Sequence, residues 1–94
     1  MNDRKMIEIH LHPNLSERIG SPGKISVEGE MPRDCLMAAA VQYPDLGKIL
    51  WRQGDQINPA VVLFLNDELI RETDLECELK LGDQIDIIPA IAGG

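Results

Sequence analysis

Few residues of this 94-residue chain are of a kind that does chemistry, and one pair stands apart. Gly93-Gly94 closes the sequence directly after the apolar run Ile85-Asp86-Ile87-Ile88-Pro89-Ala90-Ile91-Ala92. A terminal carboxylate on glycine has no side chain guarding it. Two residues without Cβ leave the backbone thin and free enough to thread a narrow channel. The chemistry such an end offers is activation: an enzyme reaches the carboxylate, converts it to an acyl donor and passes it on. Glycine is also common where chain ends fray, so the context must carry the reading.

The other reactive types are scattered. His10 and His12 share one face of a strand pattern and could begin a metal site. Structural zinc wants four ligands, usually in paired cysteine or histidine clusters, and Cys35 and Cys77 stand alone with no CxxC spacing. No metal is therefore expected. Either cysteine could serve as a nucleophile with a histidine nearby. Cys35, in the first turn of a predicted helix, reads rather as a small buried hydrophobe. Gly20-Ser21-Pro22-Gly23 lacks the lysine and the following helix of a phosphate-binding loop. The carboxylates form no tight pair, so no catalytic residue is assigned within the chain.

The elements that would position the end follow from periodicity. Met6 to His12 alternates, with Ile7, Ile9 and Leu11 on one face and Glu8, His10 and His12 on the other, a half-buried strand. Pro13 to Gly23, with two prolines and two glycines, reads as a loop or wide turn. Lys24 to Glu28 alternates again, making a hairpin with the first strand. From Pro32 to Tyr43 the period changes: Leu36, Ala39, Ala40 and Tyr43 form one helical stripe. Pro32 suits the first turn and Pro44 stops the helix. Leu46, Ile49 and Leu50 suggest a further short helical turn before Gln53-Gly54-Asp55.

Val61 to Leu65 is apolar on both faces and reads as a central strand. Asn66-Asp67 turns it into a short return strand at Leu69-Ile70. Gly82-Asp83 leads into the last strand, Gln84 to Ile88. This order predicts an α+β fold of the β-grasp type: a mixed sheet of four to five strands with one main helix packed on one face. Residues 1–94 form a single domain with a flexible C-terminal tail over about 89–94. With Pro89 unable to donate a ladder hydrogen bond and no partner strand evident, the tail is expected to move freely from about Ala90.

One helix covers one face of a sheet. The other is solvated unless something docks there. With Val61, Leu63, Leu65, Ile85 and Ile87 inward, the open face presents Val62, Phe64 and Ile88 with the rings of His10 and His12. An apolar patch beside the tail is a candidate docking surface. The alternative is that the chain's own segment from Leu46 to Trp51 folds over it.

Composition sets limits. Sixteen acidic residues against nine basic ones give a net charge of −7, which disfavours nucleic acid and anionic membrane as partners. With only Tyr43, Trp51 and Phe64 as aromatics, the core must be aliphatic. The N-terminus carries no signal-peptide core and no stretch could span a bilayer. A cytoplasmic protein with reduced thiols is expected.

Taken together, Val61–Leu65 followed by Asn66-Asp67-Glu68, then Leu81-Gly82-Asp83-Gln84-Ile85, then Ile87-Ile88-Pro89-Ala90-Ile91-Ala92-Gly93-Gly94 resemble the MoaD/ThiS family of ubiquitin-like sulfur carrier proteins. Tyr43-Pro44-Asp45-Leu46 after the helix is similar as well. The resemblance implies a protein cosubstrate rather than an enzyme. An E1-like adenylyltransferase would adenylate the Gly94 carboxylate, using its own ATP and Mg, and a sulfur donor would convert the adenylate to a thiocarboxylate. A sulfur-accepting synthase subunit would then receive the sulfur for cofactor or metabolite biosynthesis of the molybdopterin, thiamin thiazole or cysteine type. Carried onto this sequence, Gly94 is the modified residue. Pro89, Ala90, Ile91, Ala92 and Gly93 form the tail in the partner channel, and His12, Val62, Phe64 and Ile88 form the partner-binding face. His12 departs from the larger apolar residue common in molybdopterin-synthase small subunits. The same activated carboxylate would equally serve a ubiquitin-like modifier joined through Gly94 to target lysines.

Overall fold

Alternation of Ile7, Ile9 and Leu11 with polar residues does produce the first strand. β1 (Met6–Leu11) pairs antiparallel with β2 (Lys24–Glu28), Ile7 opposite Val27 and Ile9 opposite Ile25. The computed structural model describes residues 5–54 and 56–90. β5 (Val61–Leu65) and β6 (Glu68–Ile70) form a second hairpin. Asn66 and Asp67 both adopt positive φ, 51° and 71°, the backbone that matches hairpin twist and that asparagine and aspartate tolerate. β7 (Gln84–Pro89) lies between the hairpins, parallel to β1 and antiparallel to β5. The five-stranded order is β2-β1-β7-β5-β6, a mixed sheet. The fold is the ubiquitin-like β-grasp that the element order predicts.

α2 (Pro32–Gln42) runs across one face of this sheet and buries Cys35, Leu36 and Ala39. α3 (Pro44–Leu50) is a full short helix and packs on α2. Leu46 and Leu50 are fully buried in the same core as Ile9, Ile85 and Ile87. The segment from Leu46 therefore belongs to the helix side of the sheet, and the alternative that it folds over the open face is set aside. A two-stranded ribbon, β3 (Trp51–Arg52) with β4 (Gln56–Ile57), follows α3. The crossover back to β7 carries a single 3₁₀ turn, Glu72–Asp74, and is pinned by Leu75 and Leu79, both fully buried.

The segment expected as a loop after β1 is instead a helix, α1 (Pro13–Ile19). His12 accepts a hydrogen bond from the Asn14 amide on Nδ1 at 3.1 Å. Pro13 occupies the first helical turn, where its missing N–H costs nothing. Gly20, at φ 66°, caps the far end in the left-handed conformation. Leu15 supplies the one buried anchor. Proline and glycine here mark the ends of an element rather than the absence of one.

Candidate functional site

Strand register, not sequence proximity, assembles the open face. Lys24, His10, Asp86, Phe64 and Leu69 are successive cross-strand partners from β2 to β6 and form one row. Beside it, Val62 stands opposite Ile88. Phe64, Val62 and Ile88 are half-buried, and Leu69 is 56% exposed. The expected apolar patch thus exists and is one residue larger: Leu69 extends it onto the edge strand. Directly opposed side chains on one face lie close enough to form a continuous surface.

The other half of this face is polar. Glu8 accepts from or pairs with His10 Nε2 at 3.0 Å. The His10 hydrogen bond, then the Lys24 charge, holds its carboxyl below the ordinary glutamate value. Gln84 donates to Asp86 Oδ1 at 2.8 Å. A shallow hollow of about 230 Å³ between β1 and β7 is lined by His10, Leu11, His12, Gln84, Asp86 and Ile88. His12 is therefore at the rim of the face, as expected, while its Nδ1 also caps α1.

The strand that leads to the tail is longer than its sequence suggests. Pro89 is still in β7, opposite Val61, and the Ala90 amide donates to the Ala60 carbonyl at 2.8 Å. Proline is tolerated because it needs no ladder donor at that position, and the next residue resumes pairing. The expected free tail from about 89 therefore begins no earlier than after Ala90. Ile91, Ala92, Gly93 and Gly94 lie outside the described residues.

Two polar clamps went unread in the sequence. Asn66 donates to Asp83 Oδ1 at 2.9 Å and accepts from the Gln84 amide at 3.0 Å, joining the β5–β6 turn to the start of β7. Asp83 also accepts from the Lys80 amide at 2.7 Å, and these bonds, the Lys80 amide foremost, pull its carboxyl below the usual aspartate value. At the other end of β5, Asn58 bonds to Ile49 and Ala60 through its side chain. Asn58-Pro59 is a turn signal that could have flagged the second clamp.

The remaining candidates separate. Cys35 is buried in the core, and burial pushes its thiol up to about 11. Cys77 is exposed, and partial burial followed by the Asp74 charge also raises its thiol. Neither has the lowered pKa of an activated nucleophile. Among the described residues no three metal-ligating side chains come together, and no helix is long and apolar enough to cross a membrane.

Comparison with known proteins agrees with this geometry. The ThiS family profile matches residues 25–94, and the chain belongs to that family. Its relatives include a provisionally named sulfur carrier protein of Archaeoglobus fulgidus, 41% identical over 51 residues. That match covers 53% of this chain and spans only 57% of the relative's length. The solution structure of small archaeal modifier protein 1 from Methanosarcina acetivorans superposes with a TM-score of 0.83 and 27% identity, covering 99% of this chain and all of the other. The Amycolatopsis orientalis BexX/CysO complex contains a chain with a TM-score of 0.79 and 22% identity, covering 94% of this chain and 99% of that one. At that identity the likeness is one of fold.

Proposed function

We propose that this protein is a sulfur carrier that works through the carboxylate of Gly94. The observation that carries the reading is the family match running through Gly94, joined to an open sheet face where Val62, Ile88, Phe64 and Leu69 form an apolar patch on β7 and its neighbours. A carboxylate is a poor electrophile until one oxygen becomes part of a good leaving group. Attack of a Gly94 carboxylate oxygen on the α-phosphorus of ATP, held with Mg by an E1-like activating partner, expels pyrophosphate and leaves an acyl-adenylate. Hydrosulfide then attacks the acyl carbon and AMP departs; where a persulfide attacks instead, the acyl disulfide it forms is cleaved by a second thiol, which leaves as a disulfide with the persulfide's own sulfur. The product is a Gly94 thiocarboxylate, which a synthase partner consumes as its sulfur source.

This chain's part is to dock and to present. The open face supplies apolar area for the activating partner, and the residues after Ala90 reach into it. A second reading has its own support: the likeness to a small archaeal modifier protein extends over the whole chain. In that case the same acyl-adenylate is captured by a lysine amine and Gly94 ends in an isopeptide.

Incubation with the activating enzyme, ATP and sulfide tests both. The intact mass should rise by the difference between sulfur and oxygen, and tandem fragmentation should place the change on Gly94. Cys35→Ser and Cys77→Ser should leave it unaltered. Deleting Gly94 or adding one residue beyond it should abolish it. Sulfur on either cysteine, or equal thiolation of the extended chain, refutes the carrier reading. Isopeptide conjugates without thiocarboxylate would favour the modifier.

A further inference from the structure

Asn58 makes four hydrogen bonds, and together they tie the end of α3 to the start of the tail. Its side-chain amide donates to the Ile49 carbonyl at 2.9 Å. Its side-chain oxygen accepts from the Ala60 amide at 2.9 Å. Its own amide donates to the Leu50 carbonyl at 2.8 Å, and its carbonyl accepts from the Val61 amide at 3.0 Å. Ala60, held in this way, presents its carbonyl to the Ala90 amide at 2.8 Å. That bond is the pairing that closes β7 after Pro89, which itself has no N–H to give.

We propose that Asn58 is a positioning residue for the C-terminal arm: by fixing Ala60 it holds Ala90 on the sheet and so sets the point from which Gly94 is presented. The proposal rests on the role given to Gly94 above. Its consequence is geometric. Gly94 is four residues beyond Ala90, and at roughly 3.3–3.6 Å per extended residue it can lie at most about 14 Å from that anchor. If Ala90 were released, the arm would begin one or more residues earlier. Gly94 would then be offered from a different point on the sheet. A one-residue error in presentation is large on the scale at which reacting atoms must be aligned.

The anchor is measurable without any partner. In amide hydrogen exchange of the whole chain, Ala90 should be protected. Asn58→Ala removes both side-chain bonds and should speed exchange at Ala90 about tenfold, the effect of losing roughly one hydrogen bond's worth of stability. Ile9 and Ile87, deep in the sheet, should exchange at their original rates. Asn58→Asp keeps an oxygen for the Ala60 amide and loses only the donor to Ile49, so it should restore most of the protection. Ala90→Pro, which deletes the donor itself, should leave the core amides unchanged. The proposal is overturned if Ala90 exchanges equally fast with and without the Asn58 side chain. It is also overturned if Ile9 and Ile87 accelerate as much as Ala90, since Asn58 would then support only the fold. Should Asn58→Ala not fold, the near-isosteric Asn58→Leu, which also lacks both side-chain bonds, decides: Ala90 should lose protection while Ile9 and Ile87 keep theirs, and unchanged protection at Ala90 refutes the proposal. None of these readings depends on thiocarboxylate formation, so a failed carrier assay and a failed anchor are told apart.

Discussion

Replacing Phe64 by lysine and, separately, by aspartate distinguishes docking from folding, because the strand register makes the two charges unequal. Phe64 stands directly opposite Asp86. A lysine there faces an opposite charge, while an aspartate faces its own. Cross-strand pairs of this kind contribute roughly 0.2–1 kcal/mol, favourable for opposite charges and unfavourable for like ones. Both variants lose the same apolar ring, so that loss cancels in the comparison. The difference between them should be about 0.5–2 kcal/mol, with Phe64→Lys the more stable. For a domain of this size each kcal/mol moves Tm by about 4–8 °C. Thermal melts by circular dichroism at low salt should resolve the difference, and at about 1 M salt, where the screening length is near 3 Å, most of it should vanish. Docking should respond differently. Either charge would be desolvated against an apolar partner surface, so titration calorimetry with the activating enzyme should show both variants at least about tenfold weaker than the parent chain. Equal melting temperatures would refute the register. Unchanged binding by both would refute the assignment of this face.

Other expectations concern the supports of the site. Asp83 has a folded pKa below its unfolded value, so its contribution is complete above the unfolded value of about 3.9 and is lost as pH falls through the lower, folded value. Asp83→Asn should therefore lower the urea midpoint at pH 7, and the gap from the parent should close as acid titrates the carboxylate. A gap independent of pH would contradict the charged-acceptor role. A Cβ built on Gly29 would lie 2.6 Å from Cys35 Sγ, so Gly29→Ala should cost about 1–3 kcal/mol in denaturant unfolding. Cys35→Ala removes the clashing atom, and the double variant should be more stable than the sum of the single effects predicts. Strict additivity would rule out the contact.

Periodicity alone determines much of this protein. Alternation at Ile7, Ile9 and Leu11, the change of period at Leu36, Ala39 and Ala40, and the apolar run at Val61 each report a local match between chain geometry and one buried side. The β-grasp order follows from them, and the Gly94 candidate is written directly in the residue types. α1 was hidden because proline and glycine signal both loops and helix ends, and only the packing of Leu15 and the His12 cap decide between them. Alternation assigned Val62, Phe64, Ile88 and His10 to one face, but which of them stand directly opposite one another could not be read, because register depends on pairings between segments dozens of residues apart. Tertiary structure alone placed Leu69 beside Phe64, Asp86 between Phe64 and His10, and Asn58 behind the strand that carries the tail. Those are contacts of distant segments, fixed by hydrogen-bond ladders and a shared core, and no local pattern encodes them.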